Sequence, residues 1–332
     1  MQYSRNRWSE GDGFDFPAMT HCRSEDYCTE LDSSPPSFPW SYEFRSAHRC
    51  QSSITGFLVK KNPSRNMPSE QDSLGEKSRL PLLTKALLEY RRRQSDDAWN
   101  WIGNLDGRQA SKKQANKFFL GAILSYQMKE ESVWENARRL AVDFLHDPDD
   151  LWDAIARDST AEWNAKRVQY GLHRYRKGHE RVWRIAKELV SRYEGDARNV
   201  WSGQTPCMAF VRLLDMRVGE QISRMILGAL YDTKQLSPGC DAFPLDVKVD
   251  SQVCKVLDRA VYGREGIVAT TDLSIANALS ITREMNPKLP WLLDGPLWKI
   301  GREFCRKNRP LCSECPLNGK CAYADKQPID AL

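Results

Sequence analysis

Four cysteines near the C-terminus form the pattern with the clearest chemical meaning. They follow the spacing C-x6-C-x2-C-x5-C and are Cys305, Cys312, Cys315 and Cys321. Sets of four thiolates bind either a Zn²⁺ ion or an iron–sulfur cluster. Zinc sites of this type usually contain two C-x-x-C pairs, whereas this pattern contains one such pair between two longer loops. The spacing therefore favours a [4Fe–4S] cluster, with zinc and unliganded thiols as the alternatives.

Apolar residues at helical spacing dominate the part of the chain that would have to position these cysteines. From Leu80 onward they recur every three to four residues, which is the period of an amphipathic helix. The clearest runs are residues 116–127, 132–145, 177–193, 206–232 and 250–263. The alternation of β-branched residues that is typical of strands is almost absent. The sequence therefore predicts an all-α protein.

Length and composition are those of a soluble globular protein. The 332 residues allow two domains, and the shares of 41% hydrophobic and 28% charged residues are ordinary. No apolar run is long enough for a membrane helix, and the first residues lack the apolar core of a secretory signal. We therefore expect a cytoplasmic, nucleoid-associated protein, or a nuclear one in a eukaryote. The net charge of +5 is compatible with a polyanionic partner.

Residues 1–79 differ from the rest of the chain. They are rich in Ser and Pro and show no sustained helical or strand period, so we expect a poorly ordered leader. The leader contains possible metal ligands whose spacing fits no standard site, namely His21, Cys22, Cys28, His48 and Cys50. The six cysteines outside the quartet show no tight pairing, which is typical of a reducing compartment.

The cysteine spacing resembles that of the iron–sulfur branch of the helix-hairpin-helix DNA glycosylases, the endonuclease III and adenine DNA glycosylase type. The resemblance covers about residues 80–326. It implies two helical lobes with DNA between them. Residues 80–111 would form the first helix of the iron–sulfur lobe, and residues 112–240 a six-helix barrel with the hairpin. Residues 241–326 would contain the catalytic aspartate segment and the cluster loop.

A Leu-Ser-x-Gln sequence that the family also carries ends at Gln127. The resemblance implies that this side chain enters the DNA stack where the target nucleotide has been extruded. A flat polar side chain can fill that gap and hydrogen-bond the orphaned partner base. Considered alone, Gln127 would be interpreted as a surface residue at the end of a helix.

The expected DNA-anchoring hairpin departs from the family pattern. The family's Leu-Pro-Gly-Val-Gly turn presents backbone N–H groups to one phosphate, which fixes the register of the protein on DNA. This chain keeps Val218 and Gly219 but lacks the proline and the first glycine. Arg217 could contact a phosphate directly and compensate for the poorer turn. We therefore expect Arg217, Val218 and Gly219 to contact the DNA backbone.

Two positions decide which reaction the resemblance implies. Bifunctional members carry a lysine two residues after that glycine, and its amine forms a Schiff base with the sugar. Gln221 stands there in this chain and cannot do so, so strand cleavage would require Lys248 to substitute from another direction. Asp250 matches the family's catalytic aspartate at the start of a helix, where N–H groups keep a carboxylate ionised. Considered alone, Asp250 would be an ordinary helix cap.

The loop within the cysteine quartet carries Arg306, Lys307 and Arg309, which could bind phosphates or simply be solvated. We favour contact with DNA. The resulting hypothesis is a monofunctional DNA N-glycosylase that acts as a monomer on double-stranded DNA. It would flip a damaged, modified or mispaired base and hydrolyse its glycosidic bond. The alternative is a catalytically inactive iron–sulfur protein on the same fold that binds DNA or senses redox state.

Overall fold

The computed structural model describes residues 70–94, 110–125, 130–141, 150–236, 245–265 and 271–327. Within these ranges every regular element is a helix and no strand is present, which confirms the predicted all-α class. None of these helices is long and apolar enough to cross a membrane. Gln127 and the candidate metal ligands of the leader, from His21 to Cys50, lie outside the described residues.

The described residues form twelve α-helices. In chain order they are α1 (Glu70–Arg92), α2 (Lys112–Leu124), α3 (Glu130–Arg139), α4 (Leu151–Arg157), α5 (Thr160–Tyr170), α6 (Arg176–Tyr193), α7 (Arg198–Trp201), α8 (Pro206–Asp215), α9 (Glu220–Asp232), α10 (Ser251–Tyr262), α11 (Asp272–Met285) and α12 (Asp294–Glu303). A 3-10 turn at Pro290–Leu293 precedes α12, and another at Ala324–Lys326 follows the cysteine quartet.

Some helices begin several residues before the apolar period from which they were predicted. Ser111 forms a capping box with Gln114, so α2 begins at Lys112 and not at the predicted residue 116. Helix α1 begins at Glu70, and the last part of the predicted leader is therefore helical. These polar helical turns lack the apolar period on which the sequence prediction depended.

The cysteines outside the quartet differ from one another. Cys254 is a free thiol in the interior, and burial raises its pKa to about 11. Cys207, in the first turn of α8, is disulfide-bonded. The spacing of the cysteines outside the quartet gave no indication of this bond, because chain spacing does not report which thiols tertiary folding brings together.

The described helices pack around two hydrophobic cores. The first lies among α2–α9 and is built around large side chains such as Trp152 and Trp163. The second lies among α1, α10, α11 and α12, and three of the four quartet cysteines pack against it. Leu245 belongs to the first core and Val247 to the second. The chain therefore crosses from one core to the other just before α10.

Trp291 packs against α9 and is hydrogen-bonded to it. Its indole lies against Gly228, where a Cβ would have no room. The indole Nε1 donates to Asp232 Oδ2 at 2.8 Å, and the backbone N donates to Leu245 O at 2.7 Å. Arg91 of α1 also donates to Asp232, at 2.8 Å. Helices from both cores thus converge at the C-terminal end of α9.

Candidate active site and four-cysteine cavity

Asp250 is the N-cap of α10. Its Oδ1 accepts hydrogen bonds from Gln252 N at 2.8 Å and from Val253 N at 3.1 Å. Two free N–H groups at a helix N-terminus stabilise a carboxylate both by hydrogen bonding and through the helix dipole. The side chain is partly exposed, so the carboxylate is held in one orientation and remains accessible.

Asp250 is positioned by the segment that ends at it, residues 245–250, which is called the strap below. Val249 is 2% exposed, and its N–H donates to Gln221 Oε1 of α9 at 2.8 Å. The preceding N–H, that of Lys248, donates to Asp294 Oδ1 at the start of α12 at 2.6 Å. Gln221, which stands where the resemblance would place a lyase lysine, therefore contacts the backbone of the residue just before Asp250.

Asp294 is a site residue that sequence reasoning missed. Burial raises its pKa to about 7; Lys248 opposes this increase, and nearby Asp250 adds to it. Perturbed carboxyl groups of this kind cluster at functional sites but also occur in structural networks. In the sequence, Asp294 is only an acidic residue at a helix start, which is common everywhere. No local signal distinguishes it.

Asp246 anchors the other end of the strap. Its carboxylate is 4% exposed and accepts two hydrogen bonds from Arg283 of α11, at 2.8 and 2.6 Å. Arg224 of α9 lies 3.7 Å from the same carboxylate and also pairs with Glu220. A buried carboxylate is tolerated when it is paired in this way. The strap is therefore tied to α9, α11 and α12.

The hairpin turn between α8 and α9 forms without the family's proline and first glycine. Val218 is buried, and Gly219 has φ 89° at the N-cap of α9. Arg217 is exposed and adopts a left-handed φ of 61°, a conformation that glycine adopts more readily. Gly219 makes no side-chain capping hydrogen bond at the start of α9, so the first-turn N–H groups receive no acceptor from the N-cap side chain.

Arg181 of α6 is a second basic residue at this turn that sequence reasoning missed. Its Nη1 lies 3.9 Å from the position that a Cβ on Gly219 would occupy. Arg181 and Arg217 therefore flank the start of α9 with positive charge. Arg181 is distant from this turn in the chain, and only the packing of α6 in the first core brings it there.

All four quartet cysteines line one cavity at the edge of the second core. Burial raises the pKa of Cys315 to about 12, and it also raises the pKa values of Cys312 and Cys321. In the part of the chain that the structure describes, no three His, Cys, Asp or Glu side chains are arranged to hold a metal ion. The donor set is therefore gathered around one space without forming a closed single-ion site.

Arg259 places a buried positive charge beside this cavity. It is 2% exposed and donates to Arg306 O at 2.7 Å, to Lys307 O at 3.0 Å and to Cys305 Sγ at 3.5 Å. No carboxylate among the described residues forms an ion pair with it. A buried guanidinium without an anion is costly. Arg259 therefore places a positive charge in the lining of the cavity that the four cysteines share.

The basic residues of the cysteine loop, Arg306, Lys307 and Arg309, are exposed. Arg306 Nε donates to Glu303 O at 3.1 Å, and Arg259 holds the backbone of the same loop from the inside. The loop thus presents cationic side chains on a backbone that is fixed by a buried residue. Contact of these side chains with DNA stays a prediction.

No protein-family model matches this chain, and no curated protein matches it. Among solved structures, the chain is similar to one described as the structure of a thermostable thymine-DNA glycosylase. The two share 14% sequence identity with a TM-score of 0.49, and the likeness covers 75% of this chain and 98% of that chain.

Proposed function

We propose that this protein is a monofunctional DNA N-glycosylase, which removes a damaged, modified or mispaired base and leaves an abasic site. The observation that supports this most directly is the placement of Asp250. Its carboxylate is oriented by two N–H groups of α10, and the strap that carries it is hydrogen-bonded to the second helix of the hairpin. One segment therefore joins the expected DNA anchor to the expected catalyst.

Asp250 Oδ1 accepts both capping hydrogen bonds, so Oδ2 is available for a water molecule or a sugar. As the bond between base and sugar breaks, positive charge develops on the sugar. An ionised carboxylate stabilises that charge and can orient the attacking water. The hydrolysis needs no covalent bond to the protein.

Strand cleavage is not part of the proposal. The carboxamide of Gln221 cannot form a Schiff base, and its oxygen is engaged by Val249 N–H. The proposal gives the amine of Lys248, two residues before Asp250, no covalent role. A cut strand should therefore appear only after alkali has opened the abasic site.

We further propose that Cys305, Cys312, Cys315 and Cys321 hold a [4Fe–4S] cluster. The four thiolates would be the ligands of the cluster, and Arg259 would offset part of the cluster's negative charge. Its role would be structural, fixing the basic loop of Arg306, Lys307 and Arg309 against DNA. The hairpin residues Arg217, Val218 and Gly219 would bind the phosphate backbone, and Gln127 would fill the gap left by the flipped base. The protein would act as a monomer.

The test is excision from duplex oligonucleotides that carry a panel of damaged and mismatched bases, with alkali to reveal abasic sites. Asp250→Asn keeps an oxygen that can cap α10 but removes the charge. We expect it to slow excision by about 100-fold or more. Asp150→Asn is a matched control, because Asp150 is also a helix N-cap but makes no capping hydrogen bond. An Asp250→Asn variant as active as the unaltered protein would refute the mechanism.

The hairpin's departure from the family pattern favours one alternative, a catalytically inactive DNA-binding or redox-sensing protein on the same fold. Salt-dependent DNA binding without excision of any base on the panel would support that alternative. Iron and sulfide analysis with a visible spectrum tests the cofactor separately. A colourless protein that contains zinc would refute the cluster.

A further inference from the structure

We propose that Gln221 and Asp294 are positioning residues, which hold the strap and thereby aim the Asp250 carboxylate. This inference rests on the proposed function. The geometric basis is that two consecutive backbone N–H groups, those of Lys248 and Val249, are each accepted by a side chain from a different helix. Asp250 is the next residue in the chain.

The two acceptors belong to different cores. Gln221 lies in the first turn of α9, where the neighbouring Ile222 is buried in the first core. Asp294 begins α12, where Leu297 is buried in the second core. The strap is therefore fixed on both sides of the junction between the cores. These two hydrogen bonds therefore connect the position of Asp250 to both cores.

The contact with Gln221 also accounts for the absence of a lysine at this position. Val249 is 2% exposed, so water cannot readily replace a lost acceptor, and an unpaired buried N–H is unfavourable. A lysine amine is only a donor and would leave this N–H unpaired. In this chain a lysine at position 221 and the observed hold on the strap exclude each other. Gln221 therefore has its own role in the site.

Removing each acceptor without changing side-chain size tests the proposal. Gln221→Met and Asp294→Leu delete the acceptor oxygens, whereas Gln221→Glu and Asp294→Asn keep them. Since misplacement by about 1 Å can cost about 100-fold in rate, we expect the first pair to slow single-turnover excision by about 10- to 100-fold. The conservative pair should recover most of that rate. The dissociation constant for product DNA should change by less than about twofold.

Hydrogen exchange supplies a readout that does not depend on activity. The amides of Lys248 and Val249 should exchange faster in Asp294→Leu and Gln221→Met respectively, with the α9 and α12 amides unchanged. Unaltered exchange at both amides would overturn the proposal, as would excision at the full rate. A parallel loss of DNA affinity and excision would also overturn it, because it would make these residues DNA contacts. If the unaltered protein excises no base, the proposed function fails, and the exchange result alone decides whether the two side chains hold the strap.

Discussion

Gly301 allows the position of Asp250 to be perturbed from a distance. Gly301 lies in α12, where the helix packs against the first turn of α10. A Cβ on Gly301 would lie 2.7 Å from Gln252 Cβ and 3.1 Å from Gln252 O. Carbon atoms in contact normally lie 3.5 to 4.0 Å apart, so Gly301→Ala would push the first turn of α10 by about 1 Å. Gln252 N is one of the two groups that hold the Asp250 carboxylate.

The expected magnitudes follow from this displacement. Overpacking costs about 1–3 kcal/mol, and about 1 kcal/mol of that is recovered because alanine favours the helix over glycine. The net loss of about 0–2 kcal/mol should lower Tm by at most about 4 °C in a protein of this size. A displacement of about 1 Å should slow excision by about 100-fold. DNA affinity should not change, because the atoms nearest to the added Cβ belong to Gln252 and not to the hairpin or the basic loop.

Thermal unfolding, single-turnover excision and DNA titration together check this prediction. Gly301→Val provides a size series at the same position and should be worse than Gly301→Ala in both stability and rate. If Gly301→Ala excised at the full rate, the packing of α12 on α10 would not control Asp250, and the reasoning would be refuted.

Three further predictions concern stability and DNA binding. Burial holds the pKa of His179 at about 4, below the ordinary 6.5, so the folded state disfavours the charged form. The contribution of neutral His179 to the free energy of unfolding is therefore complete above pH 6.5 and is lost as the pH falls toward 4. Denaturant titrations should show that the free energy of unfolding falls by about 2 kcal/mol between pH 7 and pH 5. His179→Gln should abolish this pH dependence. Arg283→Met leaves the buried Asp246 carboxylate with only a long ion pair, and unfolding should become easier by about 2–3 kcal/mol; a loss below about 0.5 kcal/mol would contradict this. Arg217→Gln should reduce the slope of log Kd against log salt by about 1, and an unchanged slope would remove Arg217 from the DNA interface.

Local chemistry explains which features were predictable from the chain. Helical periodicity was sufficient for the all-α class, because it reports a buried stripe on each helix. The N-cap role of Asp250 was also predictable, since its partners Gln252 and Val253 lie within three residues. The helix starts at Glu70 and Lys112 were not, because polar first turns carry no apolar signal.

The sequence by itself determined the all-helical class and pointed to the cysteine quartet and Asp250, all of which depend on residues close together in the chain. Tertiary structure alone decided what surrounds them. Gln221 and Val249 are 28 positions apart, and Lys248 and Asp294 are 46 apart. The buried Arg259 reaches Cys305 across a separation of 46. Such contacts depend on how whole helices pack against one another, and no local pattern of residue types encodes that packing.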